Sequence, residues 1–135
     1  MPSANILAFD FGENRIGVAV GDINIKICHP LEIITGHNKF EKLDKIAQLI
    51  DLWQPIRLLV GLPNTHIQQT ITNITKFANR LKERFHLEVV FIDEDYTSLM
   101  AEDMLKEQNI FGIKQKHKLD SLAASLILKI YFDRM

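Results

Sequence analysis

Ile6-Leu7-Ala8-Phe9-Asp10-Phe11-Gly12-Glu13-Asn14-Arg15-Ile16-Gly17-Val18-Ala19-Val20 is the stretch that decides the fold. Ile6 to Phe9 is a short apolar run suited to a buried strand, and it ends at Asp10. Phe11 to Asn14 has turn composition, and Arg15 to Val20 reads as a second strand. Ile23-Asn24 turns the chain again, into a third strand over about residues 25–34. Pro30 has no N–H for a ladder hydrogen bond, so that strand is expected at a sheet edge or with a bulge. Three short strands at hairpin spacing predict an antiparallel start.

Beyond it the period changes. Leu43, Ile46, Ala47, Ile50 and Trp53 follow helical spacing, and Pro55 ends the segment. Leu58-Leu59-Val60 is a short buried strand closing at Gly61. Ile67, Ile71, Ile74, Ala78, Leu81 and Phe85 form a second apolar helical stripe. Val89 to Ile92 is a further β-type run that ends in carboxylates. Helical patterns return over about residues 98–108 and about 116–132. The order β-β-β-α-β-α-β-α-α predicts an α/β fold: one mixed sheet with helices on its faces. In such sheets, sites gather at strand ends.

The 135 residues suit one domain over 1–135, and neither a linker nor a repeat divides them. Hydrophobic residues make up 47% of the chain and charged residues 24%, which excludes disorder and collagen-like repeats. The single cysteine, Cys28, excludes an internal disulfide framework. A net charge of −1 argues against a general polycation, so nucleic acid would have to meet a local patch. No apolar run is long enough for a membrane span, and Met1 to Asn5 lacks signal-peptide character. The expected compartment is the cytoplasm.

Three acidic positions stand out. Asp10 closes a buried strand two residues before Gly12, which permits a tight turn or close backbone approach. Asp93-Glu94-Asp95 closes another strand. Asp120 lies near the start of the last helix, with small Ala123 and Ala124 at i+3 and i+4, which predicts tight packing that holds it against the sheet edge. Carboxylates held together repel, so they share a proton or bind a cation. Oxygen-only ligands suit Mg²⁺ or Mn²⁺, and two such ions roughly 3.5–4 Å apart support phosphodiester cleavage. Each position also has an ordinary structural use, as turn former, solvated acidic loop or helix-dipole partner.

Two basic clusters bear on a partner. Lys76, Arg80 and Arg84 are spaced four apart, on the helix side away from the apolar stripe. Lys114, Lys116, His117 and Lys118 crowd the approach to Asp120. Both can neutralise phosphates. Other signals are weak: the five histidines show no metal spacing, Gly61-Leu62-Pro63 is no phosphate loop, and Cys28 reads as an inert strand residue.

Taken together, these residues resemble the YqgF family, also called RuvX, a Holliday junction resolvase-like group. Asp10-Phe11-Gly12 with Arg15 to Ala19 is similar to its opening motif, and Val60 to Pro63 to its central strand. Phe77-Ala78 with Leu81 is similar to the following helix. Asp93-Glu94 with Tyr96-Thr97-Ser98 resembles the acidic motif, and Lys118-Leu119-Asp120 with Ala123-Ala124 the closing helix. The resemblance spans nearly the whole chain. It implies a ribonuclease H-like fold with a five-stranded mixed sheet and helices on both faces. It also implies a metal-dependent nuclease that trims the 5′ end of precursor 16S ribosomal RNA, with one or two Mg²⁺ or Mn²⁺ ions. Carried over by position, the catalytic and metal-holding triad is Asp10, Glu94 and Asp120, with Asp93 in reserve. Arg15, Lys116 and Lys118 are the expected nucleic-acid contacts. Two departures bear on substrate choice: Asp95 stands where the family usually has arginine, and the loop after Pro63 is short and lacks the usual Asp-Gly pair.

The expected partner is therefore RNA, with branched DNA next, no membrane, and a monomer or homodimer. The rivals are a DNA junction resolvase and a binding factor that has lost catalysis. Actin-like ATPases share the opening motif, but they need two such domains around a nucleotide.

Overall fold

Side-chain alternation along five strands sorts the chain's apolar residues into two layers. The computed structural model describes residues 4–63, 65–93 and 113–135, the stretch 113–121 as backbone. Strand β1 (Asn5–Phe11) pairs antiparallel with β2 (Arg15–Asp22), from Asn5 opposite Asp22 to Phe11 opposite Ile16. β2 pairs antiparallel with β3 (Ile27–Thr35). On its other side β1 lies parallel to β4 (Arg57–Leu62), and β4 parallel to β5 (Glu88–Asp93). The order is β3-β2-β1-β4-β5, the five-stranded mixed sheet expected.

Both expectations for Pro30 hold. β3 is an edge strand, and its register shifts where Pro30 faces Ala19. The strand begins at Ile27 rather than 25, because Asp22 organises the turn. Its carboxylate accepts from the Asn24 N–H at 2.8 Å, and the Lys26 N–H donates to the Asp22 carbonyl at 2.8 Å.

Helix α1 (Lys39–Trp53) starts at Asn38, whose side chain accepts from the Glu41 N–H at 3.0 Å. It stops at Gln54 in the left-handed conformation, just before Pro55. Helix α2 (Gln68–Phe85) buries Ile74, Phe77, Ala78 and Leu81. Ile67, expected in that stripe, is exposed, since it is the extended residue before the helix and helical spacing does not govern its direction. Helix α3 (Ile113–Asp133) starts three residues earlier than the pattern predicts. The expected helix over 98–108 lies outside the described residues.

Leu7, Phe9, Val18, Leu58 and Val60 face α1 and α2, and Ile6, Ala8, Ala19 and Leu59 face α3. On β2 the α3 side is Gly17, Ala19 and Gly21 by alternation, a strip of small residues. They let the helix come close: a Cβ at Gly21 would sit 2.9 Å from Phe132 Cζ and 3.1 Å from Leu128 Cδ2. Consequently α3 lies over β2, where the small side chains are, and reaches β3 and β1 on either side. Arg57 fastens its far end, with Nε 2.9 Å from a Glu88 carboxylate oxygen and an N–H donated to the Tyr131 hydroxyl. The first of these bonds is the main reason the guanidinium pKa rises further. Among the described residues no helix is long and apolar enough to cross a membrane.

Candidate functional site

Asp10 is the penultimate residue of β1, on the side of Ile6 and Ala8, both fully buried. Alternation therefore points its carboxylate to the α3 face, where it is half-buried. Its partner on β2 is Gly17. On β4, Phe9 is level with Val60, so Asp10 is level with Gly61. Asp10 thus stands in a row with a glycine on either side, and neither strand neighbour carries a side chain.

The turn that follows holds this strand end. The Gly12 N–H donates to the Arg15 carbonyl at 2.9 Å. A Cβ at Gly12 would lie 2.7 Å from that same oxygen, so only glycine closes the hairpin unstrained. Arg15 opens β2 on the same side as Gly17, two residues along from Asp10's partner, and is half-buried.

α3 packs across this face of the sheet, the Ser125 carbonyl at Cys28 of β3 and Phe132 against Gly21 of β2. Leu128 packs over Gly21, which pairs with Ile6 at the start of β1. Asp120 lies on this helix, eight residues before Leu128. Lys116 and Lys118 precede it on the same helical backbone.

Asp93 ends β5, paired with Leu62 and exposed. It alternates with Ile92, which packs with α3, so it reaches the same end of the sheet as Asp10 but on the α1–α2 face. Glu94 and Asp95 lie outside the described residues. Among the described residues no three His, Cys, Asp or Glu side chains gather as a metal centre.

The remaining signals read from sequence are also placed. His29, His37, His66 and His86 are exposed and scattered. Cys28 donates its S–H to the Ser125 carbonyl at 3.7 Å, and burial pushes its thiol pKa up against a smaller lowering by Lys129. Such a thiol is a poor nucleophile. Of the basic residues on α2, Arg84 is paired with Asp44 at 2.7 Å, whereas Lys76 and Arg80 line a cleft between α1 and α2. Sequence reasoning missed the other wall of that cleft, Lys39 and Lys42. Their three-residue spacing at the start of α1 was the available signal.

Comparison with known proteins gives a consistent picture. The family model RuvX, described as Holliday junction resolvase, matches residues 4–134. A protein of Nitrosospira multiformis is 47% identical over 132 residues, covering 95% of this chain and 87% of its own. One from Chromobacterium violaceum is 47% identical over 134 residues, covering 95% and 96%. Both are named as candidate pre-16S rRNA nucleases. Among solved structures, RuvC of T. thermophilus in complex with a Holliday junction substrate superposes with a TM-score of 0.60. Its sequence identity is 15%, and 96% of this chain and 95% of that one are covered. Fowlpox virus resolvase with its Holliday junction DNA gives a TM-score of 0.60 at 14% identity, covering 96% and 97%. These likenesses establish the ribonuclease H-like fold.

Proposed function

This chain belongs to the RuvX family, described as Holliday junction resolvase, and from that premise we propose that it is a metal-dependent nuclease processing the 5′ end of precursor 16S ribosomal RNA. The nuclease class and the RNA substrate rest on relatives that are about half identical along nearly their whole length. The observation that carries the site is Asp10, set on the α3 face between Gly17 and Gly61.

In this proposal Asp10, Glu94 and Asp120 hold one or two Mg²⁺ or Mn²⁺ ions. The donor chemistry fits: Asp10 offers carboxylate oxygens, the ligands that hard divalent cations take. An ion bound there supplies Lewis acidity, lowering the pKa of water and offsetting charge on the phosphate. That Asp120 lies on α3, the helix packed on Asp10's face of the sheet, supports it as a second ligand, and the opposite facing of Asp93 favours Glu94 over it.

The chain's own groups position the substrate. Arg15, on Asp10's side of the sheet, offers a guanidinium to the scissile phosphate. Lys116 and Lys118 add positive charge along the approach, compensating phosphates and strengthening binding at low salt. The buried strand under Asp10 and the hairpin after it keep the carboxylate from reorienting when substrate binds.

The test is cleavage of end-labelled RNA spanning the 5′ boundary of 16S rRNA. Wild type and Asp10→Asn are compared in Mg²⁺, Mn²⁺ and EDTA, with a four-way DNA junction in parallel. Cleavage that needs the metal, disappears in the variant and prefers the RNA is expected. Preferential cutting of the junction would replace RNA by branched DNA. Failure to cut either, by folded protein that binds RNA, would leave a binding factor.

A further inference from the structure

On the sheet face opposite Asp10, a cleft of about 390 Å³ opens between the first turn of α1 and the middle of α2. Phe11 and Phe77, stacked with ring centroids 4.7 Å apart, form part of its wall. Through Lys39, Leu43 and Arg80 it continues into a second hollow of about 310 Å³ beside Phe40. In the other direction, through Phe11, Glu13 and Asn73, it reaches Gly12 and Thr70. One end of this track is therefore the turn two residues beyond Asp10. From Thr70 to Arg84 the flanking helix runs 14 residues, ~21 Å. At ~3.4 Å per stacked residue of one strand, that accommodates about six nucleotides.

The track is basic, with Glu83 the one carboxylate lining the hollow beside Phe40. Lys39, Lys42, Lys76 and Arg80 line the main cleft against the single carboxylate of Glu13, although the chain as a whole carries −1. That carboxylate is already engaged, accepting from Asn73 Nδ2 at 3.1 Å. Lys42 donates to the Glu13 carbonyl, and nearby Arg84 is neutralised by Asp44. Lys76 and Arg80 have no acidic partner among the described residues. Phe40 is 65% exposed at the rim, with Lys39 Nζ 5.3 Å from its ring centre. An exposed aromatic ring beside unpaired cations is how sequence-tolerant single-strand sites are built, with bases on the ring and phosphates on the cations.

We propose that a single-stranded segment of the substrate RNA passes over the Gly12 turn and lies in this groove, its phosphates on Lys76 and Arg80 and a base stacked on Phe40. The proposal rests on the nuclease function above and names where the substrate strand goes beyond the carboxylate site. The groove thereby orients RNA from the far side of the sheet.

The test uses Asp10→Asn as parent, so that no strand is cut while anisotropy of labelled single-stranded RNA is read across a salt series. Lys76→Ala/Arg80→Ala removes two phosphate contacts, each worth ~0.7 in the slope of log affinity against log salt. The slope should fall by about 1.4, so the variant loses about sevenfold less affinity than its parent between about 50 and about 200 mM salt. Phe40→Ala should weaken binding by about tenfold and leave the slope unchanged. Thermal melting checks that both remain folded. A folded double variant with unchanged slope and affinity overturns the proposal, as does a slope change confined to a four-way DNA junction. An equal fall on single-stranded DNA supports recognition of the phosphodiester backbone. If wild type cuts no RNA while the slope still falls, the groove stands and the nuclease function fails. Intact cleavage with an unmoved slope removes the groove alone.

Discussion

Replacing Gly12 by alanine places a methyl carbon where the Arg15 carbonyl oxygen is only 2.7 Å away. Even a close carbon–oxygen contact is ~3.3 Å, so the turn must open by about 0.6 Å. The obstacle is backbone, and that backbone is tied by the Gly12 N–H bond to the same oxygen at 2.9 Å. Opening the turn weakens a bond worth about 1 kcal/mol and adds about 1–2 kcal/mol of overpacking strain. The expected loss is about 2–3 kcal/mol, or roughly 8–12 °C in Tm for a domain of this size. Gly21→Ala is the matched control: its new methyl meets the tips of Phe132 and Leu128 at 2.9 and 3.1 Å, and side-chain tips can swing aside. It should cost about 1 kcal/mol. Urea unfolding followed by fluorescence of the one tryptophan, Trp53, reads both, with midpoints falling at constant slope. Because the turn begins two residues after Asp10, Gly12→Ala should also lower RNA cleavage in protein that is still folded. A Gly12→Ala loss under about 0.5 kcal/mol, or a larger loss for Gly21→Ala, would refute the reasoning.

Three further outcomes follow from other parts of the molecule. Asn38→Ala removes the side-chain cap on the Glu41 N–H and should cost about 1 kcal/mol, with Asn38→Asp retaining most of it, both read by urea unfolding. Ser125 Oγ is buried with no hydrogen-bond partner among the described residues, so Ser125→Ala should be neutral or stabilising by up to about 1 kcal/mol; a clear loss would mean the hydroxyl has a partner. Burial raises the Cys28 pKa, so the folded thiol keeps its proton to higher pH than the unfolded one. Its contribution to stability is intact below the ordinary thiol pKa and is lost as pH rises beyond it, so wild type should lose stability relative to Cys28→Ala in that alkaline range.

Local patterning carried much of the architecture in advance. The hairpin start is legible because turn residues between short apolar runs leave few alternatives, and Pro30 could only be accommodated at an edge or a bulge. Asp10 was legible as a polar residue closing a buried strand. Less legible was Ile67, whose spacing matches the α2 stripe although its backbone is not yet helical. Phe77, absent from that stripe, is buried against Phe9 and Phe11.

What the sequence by itself determined is the succession of strands and helices and which side of each is apolar, since periods of two and 3.6 are local properties. Which elements meet was decided only by tertiary structure. Gly61 enters Asp10's row through the parallel register of β1 and β4, some fifty residues apart in the chain. α3 settles on Asp10's face of the sheet with Leu128 and Phe132 above Gly21, a glycine more than a hundred residues away in the chain. The basic cleft likewise joins Lys39 and Lys42 of one helix to Lys76 and Arg80 of another. A local period says which face is buried, but only packing chooses the face it is buried against.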